Sequence, residues 1–436
     1  MLTIRIWQDL SLLDKKQCLT RPVQISSTKS KVLEIINQVQ SFGDRALYEL
    51  TKSLDNVCLD RLQVPVEKIQ NAEINQQSFN AITRAIDTIT TYHQSLLPEN
   101  STVATANGIE ICTTYRPIQK VGLYVPGGNN TPLVSSVLMQ AIPARVAGCP
   151  IKVLCTPPDS TGEINAHLLV AARLCGIETI YTLGGAQAIA AMAYGTESVT
   201  KVDKLFGPGN SYVTEAKNLI ASDPCGAAID MPAGPSEVMI VADDQANPAF
   251  VAADLLAQAE HGVDSQVLLI CDSLDCAMKV NQELQIQLNN LSRQHLIKQS
   301  LAHSMIIVCS DTDEQINIIN SYAPEHLIIN REDPTANINK ISAVGTVFIG
   351  SWAAETMGDY VTGSNHVLPT NGFAKNHNGL STIDFLTRFS VQSINQEGIR
   401  NLGPTAITLA LIEGLDAHAN AVQIRLNALE KRNDCT

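Results

Sequence analysis

Val121-Gly-Leu-Tyr-Val125, followed by Pro126-Gly-Gly128, reads as a short apolar strand running into a glycine turn. A helix-like run extends from there to Ala147, and Ile151-Lys-Val-Leu-Cys155 supplies the next strand. The alternation continues through a helix around residues 164–175, the strand Thr179-Ile-Tyr-Thr182, and Gly184-Gly-Ala-Gln187 opening another apolar helix. Val202-Asp-Lys-Leu-Phe206 then meets Gly207-Pro-Gly-Asn210, with a helix to about Ser222. Strands that recur with a helix between them cannot pair as hairpins, so this winding predicts a parallel sheet.

A second unit of the same kind begins at Glu237-Val-Met-Ile-Val-Ala242. It takes in the strands Gln266-Val-Leu-Leu-Ile270 and Met305-Ile-Ile-Val308, a long helix from about Leu274 to Leu291, and a helix toward Tyr322. Residues 1 to about 115 carry apolar residues at three- and four-residue spacing and are expected to be mainly helical, with a break at Gly43-Asp44. Beyond residue 380 the expectation returns to helix, at 390–396 and 405–432, interrupted by Gly414. The predicted fold class is α/β: two parallel-sheet, incompletely Rossmann-like domains with N-terminal helices and a helical C-terminal tail.

At 436 residues and 45% hydrophobic content the chain can bury a large core. Its net charge of −13 would repel nucleic-acid phosphates and anionic membranes, so neither is an expected partner. The 11 cysteines stand singly, many in apolar runs, as reduced residues of a cytoplasmic protein do. No secretory h-region or membrane-length apolar run is visible, so the chain reads as soluble and intracellular.

Asp254-Leu-Leu-Ala-Gln-Ala-Glu-His261-Gly262 ends an amphipathic run that starts after Asn247-Pro248, with Gly262 at the expected helix end. Gln258 and His261 fall one turn apart on one face and could hold a cation or a substrate. A core-facing histidine that caps the last carbonyls is the plainer alternative for this segment alone. Pro324-Glu325-His326 puts a carboxylate beside an imidazole, which an irregular turn could bring together for proton transfer; a packed His beside an exposed Glu is the plainer alternative. Asp359 and His366 sit in a polar, glycine-rich stretch, and Glu413 and His418 in the tail. Gln258, His261, Asp359 and His418 together would make a thiolate-free N/O set suited to a substrate-binding Zn²⁺, although spacing does not bring them together. Three glycine turns after strands suit a pyrophosphate, but none spells Gly-x-Gly-x-x-Gly, and each alone could be an ordinary tight turn.

Together these segments resemble the histidinol dehydrogenase family. The resemblance rests on Ile229-Asp-Met-Pro-Ala-Gly-Pro-Ser-Glu-Val238, Ala257-Gln-Ala-Glu-His261-Gly, Gly122-Leu-Tyr-Val-Pro-Gly-Gly128, Gly184-Gly-Ala-Gln187 and Phe206-Gly-Pro-Gly-Asn210. Ala323-Pro-Glu-His-Leu327, Gly358-Asp-Tyr360 and Asn365-His-Val-Leu-Pro369 extend it over most of the chain from about residue 25. The resemblance implies zinc ligands at Gln258, His261, Asp359 and His418, catalytic residues Glu325 and His326, and NAD contacts at Tyr124, Gln187 and Asn210. Further substrate contacts fall on Ser236 and Glu413, beside the zinc ligands and His326. It implies one domain of residues 1–123 and 237–380 with most zinc and catalytic residues, a nucleotide-contacting domain of 124–236, and a tail of 381–436 that reaches the partner's site in a homodimer. The implied reaction is oxidation of L-histidinol to L-histidine through the aldehyde with two NAD⁺, at the end of histidine biosynthesis. A zinc hydrolase on the same ligands is the rival, but it has no use for the glycine turns. Ala353-Ala354 and Lys375 depart from the family pattern of Ser-Pro and Arg. Cys112 and Cys149, in apolar settings without an adjacent base, are not expected to act as nucleophiles.

Overall fold

The computed structural model describes residues 1–22, 28–127, 131–231 and 234–433, so Gly128 of the first glycine turn lies outside the described residues. Strand β1 (Thr3–Ile6) opens the chain, and β2 (Ser101–Ala106) and β3 (Ile109–Pro117) follow the N-terminal helices. Next come β4 (Lys120–Tyr124), β5 (Ile151–Thr156), β6 (Thr179–Thr182), β7 (Lys204–Phe206) and β8 (Ala228–Ile229). The later strands are β9 (Glu237–Ala242), β10 (Gln266–Cys271), β11 (Met305–Val308), β12 (His326–Asn330), β13 (Thr346–Ile349) and β14 (Leu386–Ile394).

Two sheets are wholly parallel, as the winding predicts. The larger has the order β1-β11-β10-β9-β12-β13 and the smaller β6-β5-β4-β7-β8. Their central strands are apolar runs with both faces covered: every residue of β9, β10 and β12 is buried. Each sheet reverses its winding direction once, between β4 and β7 in the smaller and between β9 and β12 in the larger. The C-terminal tail is helical from Gln396, with helices Gln396–Ile412 and Asp416–Asn433 parted at Gly414, whose φ is +70°.

Three local expectations change. Residues 101–117 form β2 and β3 rather than helix, and the helix expected at 390–396 is the end of β14. β14 pairs antiparallel with β3 over its whole length, from Leu386 opposite Pro117 to Ile394 opposite Ile109. That partner lies some 270 residues away in sequence, beyond the reach of local periodicity. The helix Pro248–Ala259 stops short of Gly262 and caps at Glu260.

By contacts the chain divides into two compact units. One comprises Met1–Leu96 and Ile118–Phe385 and holds both parallel sheets; the other comprises Leu97–Pro117 and Leu386–Thr436 and holds the antiparallel sheet with the tail helices. Among the described residues no helix is long and apolar enough to cross a membrane.

Candidate active site

Within the first unit a cavity of about 720 Å³ is walled by loops from both parallel sheets. The smaller sheet contributes the turns after β4 and β7, with Pro126, Gly209 and Asn210. The larger contributes residues just ahead of its strands: Ser236 before β9, Gln258, His261 and Ser265 before β10, and Glu325-His326 at the start of β12.

The Glu325-His326 pair does converge. The preceding helix Thr312–Tyr322 ends on Ala323 in the left-handed region (φ +54°), and Pro324 turns the chain into β12. The His326 ring is buried. Its Nδ1 lies 3.2 Å from the Glu237 carbonyl oxygen, 3.5 Å from Glu355 Oε1 and 3.6 Å from Glu325 Oε2. A carbonyl can only accept, so Nδ1 carries a proton, and in the neutral ring Nε2 keeps its lone pair. That Nε2 makes no hydrogen bond and stands 3.6 Å from Asp359 Oδ1. Glu325 is fixed by the Glu237 N–H, which donates to its Oε2 at 2.8 Å.

Burial alone would push His326 down, but Glu355, Glu325 and Asp359 outweigh it and raise it to about 10. Burial pushes Glu325 up to about 8 against the opposing pull of His326, and holds Glu355 well above the carboxylate range. Asp359 stays below its ordinary value because His326, His366 and His261 overcome its burial. His326, Glu355 and Asp359 offer donor atoms within 4.8 Å of one another. Carboxylates forced together in a buried site, with His326 Nε2 and Glu355 Oε2 lacking partners, fit a cation well.

Of the expected zinc ligands, Gln258, His261 and Asp359 line this cavity. The Gln258 amide satisfies its surroundings when its nitrogen donates to Glu355 and its oxygen accepts from the Glu237 N–H at 2.8 Å. His418 and Glu413 belong to the second unit, where both are exposed around the break between the tail helices. His366 donates through Nδ1 to the Asp359 carbonyl at 2.9 Å, which supports the loop as its position suggests.

Of the expected nucleotide contacts, Asn210 lines the cavity. Its side-chain oxygen is occupied as the N-cap of helix Ser211–Ala221, accepting from Tyr212 and Val213, so its amide nitrogen is the group left over. Tyr124 and Gln187 are buried behind the turns: the Tyr124 hydroxyl accepts from Gly185 N at 3.0 Å, and Gln187 Nε2 lies 3.4 Å from Asp55 Oδ2. Gln187 Oε1 has no partner, which fits a site that takes a further donor such as a ribose hydroxyl. The turn itself is braced by a buried ion pair: Lys217 Nζ bonds Asp230 and also donates to the Gly207 carbonyl at 2.8 Å. Among the described residues no cysteine lines the cavity. Cys149 is buried, pushed up to about 11 by its burial, and Cys112 sits in the second unit.

Sequence reasoning missed three residues of this site. Glu355 stands four before Asp359, a spacing that puts both carboxylates on one helical face and could have been read. Glu237 and Arg21 carry no such signal. Glu237 looks like the polar start of a strand, yet it receives Arg21 in a two-pronged pair, Nε to Oε1 at 2.5 Å and Nη2 to Oε2 at 2.8 Å.

A buried acid–imidazole pair, a cation-suited cluster and anion-suited turns around one cavity define an α/β enzyme that moves protons beside a nucleotide. The histidinol dehydrogenase family profile matches residues 19–426. A histidinol dehydrogenase from Legionella pneumophila (strain Philadelphia 1) is 73% identical over 429 residues, covering 98% of this chain and 100% of its own. That of Xanthomonas oryzae pv. oryzae is 49% identical over 424 residues, 96% of this chain and 98% of its own. A crystal structure of histidinol dehydrogenase from Elizabethkingia anophelis superposes with a TM-score of 0.94 at 41% identity, over 98% of this chain and 99% of that one. The chain belongs to the histidinol dehydrogenase family, and the hydrolase reading is not favoured.

Proposed function

We propose that the protein oxidises L-histidinol to L-histidine through L-histidinaldehyde with two NAD⁺, a step of histidine biosynthesis in the cytoplasm. The observation that carries this reading is the single cavity on which Glu325-His326, the Gln258-His261-Asp359 cluster and the Asn210 turn converge. When bound, NAD⁺ accepts hydride and zinc adds positive charge that orients the substrate and offsets the surrounding carboxylates. Gln258, His261 and Asp359 would hold the metal, with His418 of a partner chain as the fourth ligand. Tyr124, Gln187 and Asn210 would hold the nucleotide.

The surrounding carboxylates favour a protonated His326, and positive charge at the metal site would offset them; in the neutral ring Nε2 takes the alcohol proton as hydride leaves the carbinol carbon. Nδ1, donating to the Glu237 carbonyl, leaves the lone pair on Nε2, on the Asp359 side of the ring. The aldehyde must be hydrated before a second hydride can leave, and Glu325 takes the proton of the attacking water. Burial around the pair keeps bulk water from the reacting carbon. Ser236 and Glu413 would bind the rest of the substrate.

In this reading residues 1–123 with 237–380 form the metal and acid–base domain, 124–236 the nucleotide domain, and 381–436 a tail exchanged in a homodimer. The second unit supports the exchange: Leu409, Leu411, Ile412 and Ile424 are exposed apolar residues on its helices, which a second copy would cover. The test is NADH formation from histidinol, with and without a chelator. Absence of turnover in the zinc-loaded protein overturns the reading.

A further inference from the structure

We infer that Glu355 is a positioning residue that sets the His326 ring and the Gln258 amide at once. Glu355 opens the short helix Glu355–Tyr360 and is 1% exposed. Among the described residues its ion-pair partner is His326, at 3.5 Å, and neither Lys nor Arg pairs with it. One of its oxygens, Oε2, is buried without a hydrogen bond. A carboxyl group kept only for packing would be expected to have both oxygens satisfied, because a buried polar atom left without a hydrogen bond is unfavourable.

Its geometry assigns it a task at each neighbour. Glu355 and Asp359 flank the imidazole from opposite nitrogens, Oε1 beside Nδ1 and Oδ1 beside Nε2. A carboxylate beside Nδ1 favours the tautomer protonated there, which leaves the Nε2 lone pair for the substrate. The Gln258 amide satisfies its surroundings only with its nitrogen toward the same Oε1, since the reversed amide sets oxygen against a carboxylate. Glu355 thereby fixes which end of Gln258 is the oxygen, the atom a metal would bind.

The inference rests on the function proposed above, and the experiment separates the two. Zinc-loaded Glu355→Ala and Glu355→Gln are compared with wild type and His326→Gln in three measurements. These are kcat and KM, the rate of zinc loss to a chromogenic chelator, and ¹⁵N shifts of the histidine rings, with His326 assigned from His326→Gln. Glu355→Ala is expected to lower kcat and speed zinc loss by about 10–100-fold, with KM for NAD⁺ unchanged. Its His326 signal should move from the Nδ1-protonated form toward a tautomer mixture. Glu355→Gln still accepts from the Gln258 amide, so it should retain zinc more nearly as wild type while losing kcat and the tautomer preference. Folded variants with wild-type kcat, zinc loss and ring shifts, altered only in melting temperature, overturn the inference. If Glu355→Ala does not fold, the isosteric Glu355→Gln decides by the same signals, and failure of both to fold assigns Glu355 to stability and also overturns it. No turnover by wild type, or full turnover by His326→Gln, overturns the functional reading instead.

Discussion

The two parallel sheets face the same cavity with opposite ends. The smaller presents the carboxyl ends of β4 and β7, at its point of reversal, where ligands of open α/β sheets commonly bind. The larger presents the amino ends of β9, β10 and β12, and its own carboxyl ends open on a separate cavity of about 220 Å³ lined by Val241, Ile329 and Arg331. The difference is electrostatic. At strand carboxyl ends the following helices offer their N-termini and free N–H groups, which suit a pyrophosphate. At strand amino ends the preceding helices deliver their C-termini, as Pro248–Ala259 does beside Gln258 and Thr312–Tyr322 does before Glu325-His326. Those ends carry partial negative charge and suit a cation. A site that needs both a metal and a dinucleotide can be built by turning one sheet end for end against the other.

Each edge also has its own buried brace. Lys217–Asp230 pins the Gly207 turn of the smaller sheet, with side chains 4% and 1% exposed; Arg21–Glu237 pins the start of β9 in the larger, at 17% and 2%. Glu237 in turn holds Glu325 through its N–H and His326 through its carbonyl, so one residue orders both members of the acid–base pair.

The largest effects should come from the amino-end edge. His326→Gln is expected to slow NADH formation from both histidinol and histidinaldehyde by about 10²–10⁴-fold. Glu325→Gln should slow the aldehyde reaction far more than the alcohol reaction, because only the second oxidation consumes water. Rapid-mixing measurements with each substrate check both, and equal slowing of the two substrates by Glu325→Gln would sink its water-activating role.

At the carboxyl-end edge, Lys217→Met leaves the buried Asp230 unpaired and should cost about 3–5 kcal/mol in denaturant unfolding. Because Lys217 also holds the Gly207 carbonyl, KM for NAD⁺ should rise while zinc content stays intact. A loss of zinc with unchanged nucleotide affinity would reverse the assignment of the two edges.

Acid should loosen the packing around one buried histidine. His93, fully buried, faces Asn365 Nδ2 with Nε2 at 3.4 Å and Thr382 Oγ1 with Nδ1 at 3.3 Å; Asn365 reaches on to the Met139 carbonyl at 2.6 Å. Burial lowers His93 from 6.5 to about 4, and a proton on Nε2 would point at the Asn365 amide hydrogens. A depressed histidine leaves the unfolded chain binding more protons between those two values, so stability is full above pH 6.5 and falls as the pH drops toward 4. The loss attributable to this one group is about 3 kcal/mol at most. Urea midpoints at neutral and mildly acidic pH should show a flatter dependence in His93→Gln; an unchanged slope would place the acid sensitivity elsewhere.

Much of this architecture was legible in the chain. The strand–turn–helix repeats from Val121 and from Glu237 predict the parallel sheets, because helix and strand periodicities are local properties. Local patterns do not carry pairing between distant segments, so β14 passed for a helix although Leu386–Ile394 finds its partner in β3. The site divides the same way. Gln258, His261, Glu325, His326 and Asp359 could be singled out because their residue types suggest chemistry, and the cavity brings them together. Arg21 and Glu237 could not, since their pairing spans 216 residues and neither sits in a chemical motif. Which ends of the two sheets share a cavity was likewise hidden, because a strand's direction in sequence does not reveal which end it presents.

The smallest expected effect is the sharpest test of whether the two edges act independently. Gly207 has φ +118°, and a Cβ there would run into the Tyr124 carbonyl and lie 2.8 Å from Gln140 Oε1. Gly207→Ala therefore strains the nucleotide turn by about 1–3 kcal/mol without touching the acid–base pair. We expect KM for NAD⁺ to rise roughly tenfold, the equivalent of about 1.4 kcal/mol, with zinc content and the pH profile of kcat unchanged. The reciprocal variant, Gln258→Ala, should release zinc to a chelator faster while binding of NAD⁺, followed by fluorescence titration, stays as in wild type. If Gly207→Ala also strips zinc, or Gln258→Ala also weakens NAD⁺, the edges are coupled through the intervening strands, and the opposite ends of the two sheets do not divide the work between cation and anion.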